Sequence, residues 1–125
     1  MIGSLDFGDE DAEILLKVAM AEAEGESVEG KALVILVVLN RVWSDDFPDT
    51  IEEVVFQKNQ FTTTNSGDRY WTTEPDEGCY EALALVMTGW DESYGALYFE
   101  SCENSSWHSE NLTFLFEVGN HRFYS

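Results

Sequence analysis

The sequence predicts an α+β domain, mostly helical, with a small β element towards its C-terminal end. Three observations carry this. An aliphatic run of eight residues, Ala32 to Leu39, sits inside a longer stretch suited to a helix. Apolar residues at helical spacing recur on both sides of it. From Ala96 onward the pattern changes to short segments rich in aromatic and β-branched residues, at strand length.

The first helix is expected over Glu10 to Glu24, capped by Asp9 or Asp11, with acidic residues in the opening turn that complement the helix dipole. At about 100° per residue, Ile14, Leu15, Val18 and Ala19 make one apolar stripe. Glu10, Glu13, Lys17 and Glu24 lie opposite, and Glu22 falls within the stripe. Gly25 ends or bends this helix. Ser27 is placed to cap a second helix, Val28 to about Trp43, whose centre is apolar all round and so must be enclosed by the domain. Phe47 to Phe56 reads as a short third helix in which Thr50 and Glu53 have capping-box spacing. Thr62 to Thr73, rich in Thr, Asn, Ser and Gly, reads as a loop.

Pro75 suits the first turn of a helix running to Thr88, with Tyr80, Leu83, Ala84 and Met87 on one face and Gly89 as its stop. Ala96 to Phe99 and Leu112 to Val118 are read as two strands, paired with each other, and His121 to Tyr124 simply finishes the chain.

A chain of 125 residues, 44% hydrophobic, holds one domain with a real core and not two. Residues 1–125 are therefore taken as a single domain, with 1–8 loose. The 25 acidic against 6 basic residues give a net charge of −19, which repels nucleic acid and anionic lipid. The acidic surface reads as a solvated face, with a calcium ion or a cationic partner as the alternative, although no EF-hand spacing occurs. The N-terminus lacks the basic start and apolar run of a signal peptide, and the longest apolar run is too short to span a bilayer. A monomer is the default expectation.

Cys79 and Cys102 read as free thiols rather than a bridge. A zinc site from Cys102, His108 and His121 lacks metal-ligand spacing, so no metal is expected. No cofactor is expected either, since phosphate-cradling glycine loops and a serine nucleophile elbow are absent from the sequence.

A carboxylate on the apolar face of a helix loses solvation, and burial raises its pKa. Glu22 is thereby a candidate to keep its proton near neutrality and donate it to a glycosidic oxygen. The competing reading is an ordinary buried ion pair with Arg41, Lys31 or a helix N-terminus. Glu26 follows four residues later, but Gly25 leaves its direction open, and spacing alone favours a solvated side chain. Trp90, Tyr94, Tyr98, Phe99, Trp107, Phe123 and Tyr124 suit either a sugar-binding groove or the core.

Several stretches in order resemble the cell wall hydrolases of the SleB and CwlJ type, the spore-cortex-lytic enzymes. They are Ala21-Glu-Ala-Glu-Gly-Glu-Ser27, Glu29-Gly-Lys-Ala-Leu-Val, Leu39-Asn-Arg-Val42, Phe47-Pro-Asp-Thr-Ile, Val54-Val-Phe-Gln-Lys-Asn-Gln-Phe61, Met87-Thr-Gly, Gly95-Ala-Leu-Tyr-Phe99, Trp107 and Val118-Gly-Asn-His-Arg-Phe-Tyr124. The resemblance implies a fold similar to the lysozyme-like lytic transglycosylases, acting at the cell wall or spore cortex on peptidoglycan glycan strands. It implies cleavage between N-acetylmuramic acid and N-acetylglucosamine, with Glu22 as general acid and base.

By the same resemblance Glu26, Gln60, Phe61, Tyr98 and His121 are substrate-binding candidates, and Asn40 and Arg41 structural ones. Plain hydrolysis would need a second carboxylate, for which Glu26 or the pair Asp45 and Asp46 suggest themselves. The chain departs from the pattern in carrying Glu24, where relatives have basic or neutral residues, and in its acidic surface. The alternatives are a non-catalytic wall-binding module and a calcium-binding spore or phage component.

Overall fold

Every residue from Gly30 to Leu39 is buried in α2 (Val28–Val42), so this helix is the spine of the fold. The computed structural model describes residues 8–57, 69–102 and 111–125. As expected, Ser27 caps α2, its Oγ accepting the Gly30 N–H at 3.0 Å. Each aliphatic side chain enclosed along α2 contributes about 1.5–3 kcal/mol of burial free energy. That accounts for a helix made of β-branched residues of modest intrinsic propensity.

α1 (Asp9–Ala23) packs on this spine and buries a face wider than the expected stripe, taking in Leu16 and Met20. Its N-cap is Gly8, not Asp9 or Asp11; these lie with Glu10 in the first turn, where their charge faces the helix dipole. The helix stops at Ala23 because Glu24 turns extended and Gly25 takes φ +87°, a region that favours glycine. α3 (Ile51–Val55) begins at the expected cap, with Thr50 Oγ1 accepting the Glu53 N–H at 3.1 Å and donating to the Glu53 carboxylate at 2.9 Å.

Two helix expectations need correction. Arg69–Thr72, within the expected loop, is a single helical turn, α4, held by packing of buried Tyr70 against Phe56; one turn is too short to show a period. Positions 62–68 of that loop lie outside the described residues. α5 (Glu77–Met87) is capped by Asp76, which accepts the Cys79 N–H at 3.0 Å, so Pro75 precedes the cap instead of opening the helix. Its buried face is Cys79, Ala82, Leu83 and Val86, while Tyr80 and Met87 are exposed. The small thiol, not the tyrosine, begins the i, i+3, i+4, i+7 series. Gly89, at φ +97°, follows its end as expected.

The β element is a three-stranded antiparallel sheet of order β1-β3-β2, formed by β1 (Tyr98–Ser101), β2 (Phe114–Val118) and β3 (His121–Tyr124). The two expected strands do not pair with each other. Both pair with His121–Tyr124, which forms the central strand. Within it His121, Phe123 and Tyr124 are buried, and Phe123 stacks on Phe116 at 4.9 Å. Glu100 lies directly across from Arg122 and is buried, accepting the Tyr124 hydroxyl at 2.7 Å with Arg122 Nη1 at 3.7 Å.

The sheet is fastened at both ends of α2. At the C-terminal end, Asn40 Nδ2 donates to Ser93 Oγ and to the Ala96 carbonyl, each at 3.0 Å, and Arg41 Nε donates to the Leu97 carbonyl at 2.7 Å. This is the structural work expected of Asn40 and Arg41. At the N-terminal end, the β2–β3 turn reaches the α1–α2 junction, where the candidate site lies.

Candidate active site

Glu22 occupies the last turn of α1, half-buried between the buried residues Ala21 and Ala23. The final carbonyls of a helix have no partner within it. At this helix end the Ala23 carbonyl accepts the Glu26 N–H at 3.0 Å, and the Glu22 backbone favours the charged form of the His121 imidazole. Burial holds the His121 pKa below its ordinary value; nearby Glu26 and the Glu22 carbonyl oppose that shift without overcoming it. The ring lies edge-on to Phe99 at 5.3 Å, and among the described residues its buried Nδ1 has no hydrogen-bond partner.

Glu26 is not the solvated side chain that spacing favoured. It accepts the backbone N–H of Asn120 at 3.0 Å, and the same Oε1 stands 3.9 Å from His121 Nδ1. The turn it grips is Gly119-Asn120, a two-residue hairpin connection with Gly119 at φ +57°, as a type II′ turn requires at its first central position. A side chain at residue 119 would occupy the space that the Glu26 carboxylate fills. Lys31, itself buried, donates to the Glu26 carbonyl at 2.7 Å. Lys31 and Arg41, suggested as ion-pair partners for Glu22, are thus engaged with the carbonyls of Glu26 and Leu97.

Tyr98, half-buried, lies against the Arg41 guanidinium, 5.1 Å from its ring centre, with Phe47 on the same cation at 4.8 Å. Burial lowers the Arg41 pKa to about 10, with Tyr98 acting in the opposite direction, so this guanidinium still carries its charge near neutrality. Tyr98 is therefore tied to the C-terminal end of α2, whereas Glu22, Glu26 and His121 gather at its N-terminal end. Gln60, Phe61, Trp107 and His108 lie outside the described residues. Of the late aromatics, Phe123 and Tyr124 belong to the core and Tyr94 is three-quarters exposed.

The candidates for a second carboxylate fare differently. Glu26 is committed to the hairpin turn. Asp45 and Asp46 follow the far end of α2, whose 15 residues rise roughly 20 Å, too far to act with Glu22 on one bond. Cys79 and Cys102 are free, as expected, with Cys79 in the core. Among the described residues no group of three or more His, Cys, Asp or Glu side chains is arranged to hold a metal ion, and no helix is long and apolar enough to cross a membrane. A hollow of about 340 Å³ lies along the N-terminal half of α1, between Glu13, Lys17, Pro75 and Tyr80, displaced along the helix from Glu22.

The residues that sequence reading missed are Gly119 and Asn120, which join Glu26 to the sheet. Their signal was present, because Gly-Asn between Val118 and His121 has the composition of a two-residue hairpin turn.

A carboxylate at the end of a core helix, set against a small antiparallel sheet, is the layout of the lysozyme-like class. The Cell Wall Hydrolase family matches residues 25–124, and the chain belongs to that family. It is 37% identical over 93 residues to a spore cortex-lytic enzyme of Oceanobacillus iheyensis, covering 74% of this chain and 33% of that protein. It is 36% identical to one from Bacillus subtilis, covering 74% of this chain and 30% of that protein. The chain thus spans about a third of the length of these curated relatives.

The fold is that of the catalytic domain of the germination-specific lytic transglycosylase SleB from Bacillus anthracis, with TM-score 0.84, 28% identity, and coverage of 98% of this chain and 100% of that one. The catalytic domain of the Bacillus cereus SleB protein matches at the same TM-score and identity, with 98% and 94% covered.

Proposed function

We propose that this chain is a peptidoglycan-cleaving domain acting as a lytic transglycosylase on cell wall or spore cortex, with Glu22 as its general acid and base. The observation that carries the reading is the half-buried carboxylate in the last turn of α1, in a fold shared along its whole length with a lytic transglycosylase catalytic domain. Partial burial disfavours the charged form of a carboxylate and so favours one that can donate a proton.

In the forward step the Glu22 carboxyl protonates the oxygen joining N-acetylmuramic acid to N-acetylglucosamine as the C1–O bond breaks. The resulting carboxylate then takes the proton of the muramic C6 hydroxyl while that oxygen bonds to C1. Glu22 ends as it began, a 1,6-anhydro sugar is left, and no water is consumed. One carboxyl group serves both halves, which agrees with Glu26 being occupied at the hairpin and Asp45 and Asp46 lying at the far end of α2.

The test is muropeptide mass spectrometry on purified wall and cortex. The proposed chemistry yields anhydro ends, and Glu22→Gln lowers the rate by about 10²–10⁴-fold with the fold intact. Reducing ends would mark a hydrolase instead. Sedimentation with the wall but no new fragments would mark a binding module.

A further inference from the structure

We infer that the indole of Trp71 is a stacking platform for a sugar ring of the glycan strand, an inference that takes its substrate from the proposed function. Trp71 is 53% exposed, whereas Trp43 and Trp90 are partly buried. A lone exposed aromatic needs no explanation, but this ring is held in a fixed orientation. Phe56 stacks on it with centroids 5.7 Å apart and planes at 22°, and Tyr70 meets it edge-on at 4.9 Å. Buried Tyr70 also meets Phe56 edge-on at 5.2 Å, so the three rings form one braced cluster. The exposed Tyr94 and Phe114 differ, since each meets its neighbour, Phe116 or Tyr124, at a steep angle and has no parallel ring behind it in that contact.

The turn that carries Trp71 is docked on the C-terminal half of α1. Arg69 pairs with Glu24, two residues beyond Glu22, and the Lys17 ammonium lies 5.5 Å from the centre of the Tyr70 ring. Lys17 and Glu24 stand about two helical turns apart, roughly 10 Å, and Glu22 falls between them along the axis. α4 is thus fixed to the end of the helix that presents the reacting carboxyl. A pyranose has C–H bonds on its faces and hydroxyls at its rim. A flat indole takes the C–H face against its negative π surface, and a ring already braced loses little freedom on binding.

A contact made equally in the ground state and the transition state acts on KM and not on kcat. In Trp71→Ala, KM on peptide-free glycan fragments is expected to rise about 2- to 10-fold, the worth of one aromatic stack. The loss should fall on KM, with kcat close to that of the unaltered protein. Trp71→Tyr, which restores a flat ring, is expected to recover most of it. An unchanged KM in Trp71→Ala, or a loss confined to kcat, would overturn the inference.

A second readout keeps Trp71 in place and so does not depend on how Trp71→Ala folds. In Glu22→Gln, where binding is read without turnover, peptide-free glycan fragments should shift the NMR signals of the Trp71 indole more than those of Trp43 and Trp90. The Trp71 signals are identified by their loss in Trp71→Tyr. Fragments that bind and leave Trp71 unmoved, or that do not bind at all, count equally against the platform. If instead Glu22→Gln cleaves normally, the proposed role of Glu22 fails while the shift at Trp71 stands.

Discussion

The Glu26 carboxylate lies over Gly119, in the space a Cβ would claim, and through this contact the α1–α2 junction recognises the β2–β3 turn. Gly119→Ala is expected to destabilise the domain twice over. Alanine at φ +57° costs about 1–2 kcal/mol, and its methyl group pushes away the carboxylate that accepts the Asn120 N–H. Thermal melting should show a drop of several degrees. A melting temperature equal to that of the unaltered protein would mean the turn is not gripped in this way.

Much of this arrangement was legible in the residues. Ser27, Thr50 and Gly89 announce their helix ends because capping is local chemistry, settled within three or four residues. The unbroken burial of α2 follows from a run with no polar face. The central strand did not announce itself: four residues including a histidine and an arginine have no strong β pattern, and their pairing is decided by β1 and β2 more than by themselves. Glu26 was misread for a related reason. The partner that takes it out of solvent, Asn120, lies 94 residues away in sequence, beyond the reach of periodicity.

Stability should fall on mild acidification through His121. Burial depresses its pKa below the ordinary 6.5, so between the folded and unfolded values the folded chain binds fewer protons than the unfolded one. Stability rises with pH across that interval. The contribution is therefore full above about 6.5 and is lost as pH falls through the folded value. Asp76, whose carboxylate is held low chiefly by the Cys79 N–H, follows the same sign below 3.8. The net charge of −19 adds its own pH dependence, so the histidine component is to be read as the difference between the melting curves of the unaltered chain and His121→Phe. A difference that stays constant across pH 5 to 8 would contradict it.

The two cysteines should separate by reactivity. Burial in the core pushes the Cys79 thiol up to about 11, and its Sγ sits 3.9 Å from Met20 Sδ, so neither access nor thiolate is available. Cys102 is half-buried. A thiol reagent at mildly alkaline pH should label Cys102 alone in the native protein and both after denaturation, with no reductant needed. Labelling of Cys79 in the native state would show that α5 opens from the core.

Asn40 should matter for stability out of proportion to its size. Its amide donates both to Ser93 Oγ and to the Ala96 carbonyl, and the fully buried Ser93 in turn donates to Asp91 at 2.6 Å. Asn40→Ala strips two buried acceptors of their donor and is expected to cost about 1–3 kcal/mol, read from the shift of the urea midpoint. A change below about 0.5 kcal/mol, the level of an ordinary surface substitution, would mean that water replaces the amide there.

Ionic strength should govern how well the chain engages an anionic wall. Of its cations, Lys31 and Arg41 are buried, Arg122 is held by Glu100 and the Cys102 carbonyl, Arg69 by Glu24, and Lys17 lies 3.6 Å from Glu13. The described positive charges are thus engaged within the fold, and the chain as a whole carries a net charge of −19. Raising ionic strength from about 0.01 M to about 0.15 M shortens the screening length from about 30 Å to about 8 Å. On wall fragments bearing peptide carboxylates, KM is then expected to fall severalfold while kcat holds, because screening removes repulsion during encounter without touching the carboxyl group that reacts. Glycan fragments stripped of their peptides should show no such dependence. If KM instead rises with salt on the peptide-bearing fragments, attraction to a cationic strip governs binding, and the acidic surface is not what limits engagement of the wall.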